Sequence, residues 1–100
     1  MNQTTHLIAA GLIGLALAGP ASATDRHTEV LAATCMSCHG PGGKSLGTIP
    51  NLAGHNQDDF VKRLKEFKSG ARQSSIMKRH AAGYTDAEVE AMAAYFASLK

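Results

Sequence analysis

Residues 33–40 read ATCMSCHG. Cys35 and Cys38 stand three apart, His39 follows at once, and the chain has no other cysteine. A secreted disulfide scaffold of this size normally carries four or more cysteines. A bridge between two cysteines three apart closes only a tiny loop and constrains the unfolded chain little. The pair therefore reads as a redox dithiol, part of a zinc site, an attachment point for a larger group, or a chance structural pair.

C-x-x-C-H is the signature of covalent c-type haem attachment. One helical turn places Cys35 and Cys38 so that each thiol adds to one haem vinyl group, and His39 is then held beneath the iron as an axial ligand. The rivals fit less well. A thioredoxin-like dithiol wants a βαβ context, and no alternating strand pattern occurs in the sequence. A zinc site wants four ligands. The fourth would come from His27, His55 or His80, at spacings that match no familiar finger.

The start, MNQTTHLIAAGLIGLALAGPASA, reads as an export signal. Leu7 to Ala18 has the length of a signal h-region and is too short to span a membrane. Ala21-Ser22-Ala23 offers the small-x-small cleavage pattern, with the cut after Ala23. The n-region has no Lys or Arg, so an uncleaved anchor or an N-terminal core helix are the alternatives. Two units follow: a signal peptide over 1–23 and one domain over 24–100, placed in the periplasm. The domain is small for a self-sufficient core. An apolar cofactor disc supplies what the chain lacks.

Three helices are predicted in the domain. The first covers about Asp25 to Thr34, capped by Asp25. GPGGKSLGTIPNLAGH, residues 40–55, has five glycines and two prolines and is a long loop. The second helix opens at Asn56, which has capping-box spacing with Asp59, buries Phe60, Val61, Leu64 and Phe67, and stops at Gly70. Residues 71–84 form a second loop holding at most a helical turn. The third helix opens with a Thr85/Glu88 capping box and a Tyr84/Val89 staple, and its stripe is Val89, Met92, Ala93, Phe96 and Leu99. The expected class is an all-α domain of three main helices with long loops.

Met77, in SSIMKRH, is the choice for the second axial position, because that loop can present a side chain opposite His39. Met1 leaves with the signal, Met36 lies inside the attachment loop, and Met92 belongs to a core stripe. His80 is the competitor, and an open iron is the third alternative. Met/His ligation raises the reduction potential, and a soft thioether favours ferrous iron. Ligating histidines usually donate their other N–H to a carbonyl or carboxylate. For His39 the candidate acceptor is the Pro50 carbonyl in TIPNLAG; otherwise Pro50 only shapes the loop.

With these residues placed, CMSCHG, IPNLAG, FKSGARQSSIM and YTDAEVEAMAAYFASL make the domain resemble the class I c-type cytochromes over nearly its full length. SSIMKRHAAGYTDAEVEAMAAYF is especially similar to the cytochrome subunit of flavocytochrome c sulfide dehydrogenases. The resemblance implies a small helical fold around one haem c, His39 and Met77 as iron ligands, and periplasmic electron transfer. The absence of a second C-x-x-C-H departs from two-haem relatives.

The reading is of an electron carrier and not an enzyme. The sequence holds no Ser-His-Asp grouping, no paired carboxylates on one predicted helix face, and no strand leading into the 40–43 glycines. A net charge of +2 is too weak to argue for nucleic acid. Lys62, Arg63, Lys65, Lys68, Arg72, Lys78 and Arg79 fall in one window whose only acid is Glu66. That is either an ordinary solvated face or a surface that steers an acidic redox partner. The partners considered are periplasmic redox proteins, with the chain as a diffusible carrier, or a flavoprotein, with the chain as its electron-accepting subunit. A ligand-binding sensor would need an open sixth position.

Overall fold

The computed structural model describes residues 25–100, together with Gly11 and Gly14. Apart from those two glycines, the export signal predicted over 1–23 lies outside the described residues. Four helices form: α1, Arg26–His39; α2, Gln57–Ser69; α3, Ser75–Ala82; and α4, Asp86–Ser98. The described residues contain no strand. The all-α class holds, with one helix more than the three expected.

The first correction concerns α1. It does not stop near Thr34 but runs through the whole motif to His39. Nothing in CMSCH breaks a helix, and the first true stop is Gly40-Pro41. Gly40 takes φ 96° and returns its N–H to the Met36 carbonyl, and a 3₁₀ turn over Pro41–Gly43 follows. At the other end the Asp25 carboxylate accepts the Thr28 N–H at 2.9 Å.

The second correction is α3, which replaces most of the loop expected over 71–84. Ser74 caps it, accepting the Met77 N–H at 3.1 Å, and SIMKRHAA then makes two turns. With eight residues α3 is too short to persist alone and depends on packing. It lies against α2.

Caps fix the other two helices. Asn56 accepts the Asp59 N–H at 3.0 Å. The return half of that box is not made, because Asp59, a methylene shorter than Glu, instead takes His55 at 2.6 Å and Arg63 at 2.7 Å. Both halves of the Thr85/Glu88 box are present. Gly70 ends α2 in the left-handed region at φ 87°.

α4 packs on α1 and α2. Val89, Met92, Ala93 and Phe96 meet Phe60 and Leu64 of α2 and Ala32 of α1 in one buried cluster. The Phe60 and Phe96 rings stack with centroids 5.8 Å apart. Leu99 and Tyr84 pack at its edge. The 40–55 loop is pinned over this core: Leu52 and Ala53 donate to the Gly43 carbonyl, and Gly54 donates to the Phe96 carbonyl at 2.8 Å. No helix among the described residues is long and apolar enough to cross a membrane.

His27 of α1 meets Glu88 of α4 at 2.7 Å and joins the starts of the two helices. The Thr85 N–H, and then His27, hold the Glu88 carboxyl below its ordinary value of 4.5. A carboxyl whose folded value is depressed stabilises the fold above its ordinary value and loses that contribution as pH falls through the folded value. Wild type should therefore exceed Glu88→Gln in thermal midpoint above about pH 5, and the gap should close on acidification. Parallel melts across pH check this; a gap that widens toward acid contradicts it.

Candidate functional site

The last turn of α1 carries Cys35, Cys38 and His39. Cys35 is half-buried and Cys38 exposed, and the two form no disulfide. The Cys35 sulfur points back along the helix to the Leu31 carbonyl at 3.8 Å, and burial pushes its thiol above the ordinary 9.0. The helical path through the motif is what sets the two sulfurs one turn apart.

His39 is anchored from outside its helix. Its Nδ1 donates to the Pro50 carbonyl at 2.6 Å, the bond that the IPNLAG stretch suggested. In the neutral ring this places the proton on Nδ1 and leaves the Nε2 lone pair for a metal. The loop around Pro50 is itself braced. Ser45 donates its N–H to Asn51 Oδ1 at 2.9 Å and its hydroxyl to the Ile49 carbonyl. Asn51 Nδ2 bonds the Ala53 carbonyl at 2.9 Å. The glycine-rich sequence therefore makes a fixed support for one carbonyl.

Met77 arrives from a different element, in the first turn of α3. It is half-buried and belongs, with Cys35, Met36, Leu52 and Phe67, to the side chains packed around the core. His80, one turn later, is exposed. Met92 is fully buried in the core, as its stripe implied. His27 and His55 are already bonded to Glu88 and Asp59. Among the described residues no three His, Cys, Asp or Glu side chains gather as a metal site, so the zinc alternative finds no ligand set.

The surroundings of Cys38 fit a large, mainly apolar group. Leu46 and Ile49 are 86% and 42% exposed. Together with Met36 and Cys38 they line an open hollow of about 450 Å³. Ile76, beside Met77, is 62% exposed. Leu46 and Ile49, exposed beside Cys38, offer apolar surface to a ring attached there. Arg72 adds a polar feature. Its guanidinium lies over the Phe67 ring at 5.7 Å and touches Glu66 at 3.3 Å. Its Nε is buried without an acceptor in the protein, a donor suited to an anion. No sequence pattern marked that atom.

The cytochrome c family model matches residues 27–100. The chain belongs to the cytochrome c family. It is 38% identical to the cytochrome subunit of sulfide dehydrogenase from Chlorobaculum tepidum, over 99% of this chain and 96% of that one. It is 35% identical to cytochrome c-553 of Helicobacter pylori, over 86% and 90%. With cytochrome c4 of Thiocapsa roseopersicina the identity is 39%, over 93% of this chain but only 44% of the relative. As a cytochrome c it carries covalent haem c and transfers electrons, and it is not itself a catalyst.

Proposed function

We propose that this cytochrome carries one electron at a time on a single haem held by Cys35 and Cys38, with His39 and Met77 as the iron ligands. The bond from His39 Nδ1 to the Pro50 carbonyl carries this reading, because it presents a fixed imidazole beside the two thiols. The haem supplies a one-electron ferric–ferrous couple. The protein does the rest. Pro50 holds the plane of the imidazole. The Met77 thioether, soft and uncharged, favours the ferrous state. Cys35 and Met77 are half-buried, while Cys38 is exposed, on the side where a redox partner can approach. The domain works in the periplasm after residues 1–23 are removed at Ala23.

Lys65, Lys78 and Arg79 form no ion pair among the described residues, whereas Lys62, Arg63 and Arg72 pair with Glu66 or Asp59. With Lys68, which bonds only the Tyr84 carbonyl, these make four cations of α2 and α3 outside any ion pair among the described residues, and they suit an acidic redox protein and a diffusible carrier. A second reading, the electron-accepting subunit of a flavoprotein sulfide dehydrogenase, is supported by the match to such a subunit along nearly both full lengths. Purification of the exported protein from its own cells separates the two. A flavoprotein that stays bound through the columns favours the subunit, and an isolated cytochrome favours the carrier.

Replacing Met77 tests the ligand set. The oxidised wild type should show a weak far-red sulfur-to-iron band, and Met77→Ala should lose it. The reduced variant should bind carbon monoxide rapidly, and its potential should fall by an amount on the order of 0.1 V, within the roughly 0.8 V range that axial ligands span. A far-red band that survives in Met77→Ala would assign the sulfur elsewhere.

A further inference from the structure

Tyr84 occupies the turn between α3 and α4, where three of its polar groups meet three different helices. Its N–H reaches the Ala81 carbonyl of α3 at 3.4 Å. Its carbonyl accepts Lys68 Nζ of α2 at 3.2 Å. Its hydroxyl lies 3.0 Å from Thr34 Oγ1 of α1. The direction of the last bond follows from chemistry. Thr34 gives its one hydroxyl proton to the Leu31 carbonyl at 2.6 Å, so the Tyr84 O–H is the donor and Thr34 the acceptor.

This link spans the two sides of the site. Thr34 is the residue before Cys35, and α3 carries Met77. α3 has its main packing surface on α2, so its placement against the cysteine-bearing end of α1 is left to the turn that follows it. Tyr84 is half-buried at the edge of the core, and its bond to Thr34 lies at the exposed surface, so it contributes as one ordinary neutral hydrogen bond.

We propose that the Tyr84 hydroxyl, bonded to Thr34, is a positioning group that holds the Met77 helix against the cysteine-bearing helix and thereby sets how easily Met77 is displaced from the iron. It rests on the axial pair proposed above. The bond acts through distance alone: with it, the thioether stays in place when a competing ligand arrives; without it, α3 is freer to swing away on α2.

The test is an imidazole titration of the haem-loaded ferric protein, followed by loss of the far-red band. Tyr84→Phe removes only the hydroxyl, and Thr34→Val removes its acceptor together with the local Thr34 bond to the Leu31 carbonyl. Each should tighten imidazole binding about three- to tenfold, the range expected from one neutral hydrogen bond. The double variant should go no further than either single one, because both delete the same bond. Asn56→Ala, which uncaps α2 and lowers overall stability, should leave imidazole affinity as in wild type. Wild-type affinity in both Tyr84→Phe and Thr34→Val overturns the proposal, as does an equal change in Asn56→Ala. A wild type without the far-red band instead overturns the ligand assignment, and this proposal with it.

Discussion

With Cys35→Ala and Cys38→Ala combined, the exported chain is expected to lack covalent haem and to lose cooperative folding. Among the described residues the buried apolar side chains are Ala32, Phe60, Leu64, Ala81, Val89, Met92, Ala93 and Phe96. Three of these are alanines, which bury little. The others contribute roughly 1.5–3 kcal/mol each, against an ordering cost of about 1.5 kcal/mol for every residue fixed. Small domains in this position need a staple. Here the staple is the haem that the family carries, and exposed Leu46 and Ile49 beside Cys38 are apolar side chains available to cover it. The variant should show no haem absorbance after extraction with acidified organic solvent and no sharp thermal transition by circular dichroism. Its stability should fall from the usual ~5–15 kcal/mol to near zero. A double variant that melts sharply with wild-type helix content and no haem would remove the cofactor from its central place.

What sequence could show here was local, and what it missed was mostly distant. Asn56, Gly70 and the Thr85/Glu88 box are short-range signals: α2 starts and stops, and α4 starts, where they say. The motif carried its own chemistry, and IPNLAG supplied the His39 acceptor. α3 was missed because SSIMKRHAA is brief and its apolar residues make no long stripe. Ser74 as a cap was the available clue, and packing on α2 completes the helix. α1 runs past the expected end at Thr34 because nothing in CMSCH breaks a helix and the stop is Gly40. Asp59 looked like half of a capping box, but a nearby His55 and Arg63 took its carboxylate. Tyr84 was read only as a staple. Its bond to Thr34 joins positions 50 residues apart, and no local pattern carries that information.

Gly40→Ala is expected to cost more than any other single glycine replacement in the 40–43 turn. Gly40 is buried, with φ 96° and ψ 160°, a conformation that L side chains rarely adopt. A Cβ there would lie 1.9 Å from the Lys44 carbonyl oxygen and 2.7 Å from its carbon, both backbone atoms. No rotamer relieves such a clash. Either the 41–44 turn opens, breaking the bond from Gly43 N–H to the Gly40 carbonyl at 2.9 Å, or the last turn of α1 shifts with Cys38 and His39. The penalty should reach about 3 kcal/mol or more, which for a domain of this size is roughly 12–24 °C in thermal midpoint. Gly42→Ala is the matched comparison. Gly42 also has positive φ, 63°, but its Cβ would meet nothing within 4 Å, so only the left-handed backbone cost of about 1–2 kcal/mol remains. Gly43→Ala should fall between, since its Cβ would press on the Phe96 ring at 3.0 Å. Because the turn leads from His39 into the loop that holds Pro50, Gly40→Ala should also speed carbon monoxide binding to the reduced protein, while Gly42→Ala should not. Equal melting temperatures for the Gly40 and Gly42 variants would mean that this turn is free to rearrange and does not fix the histidine side of the site.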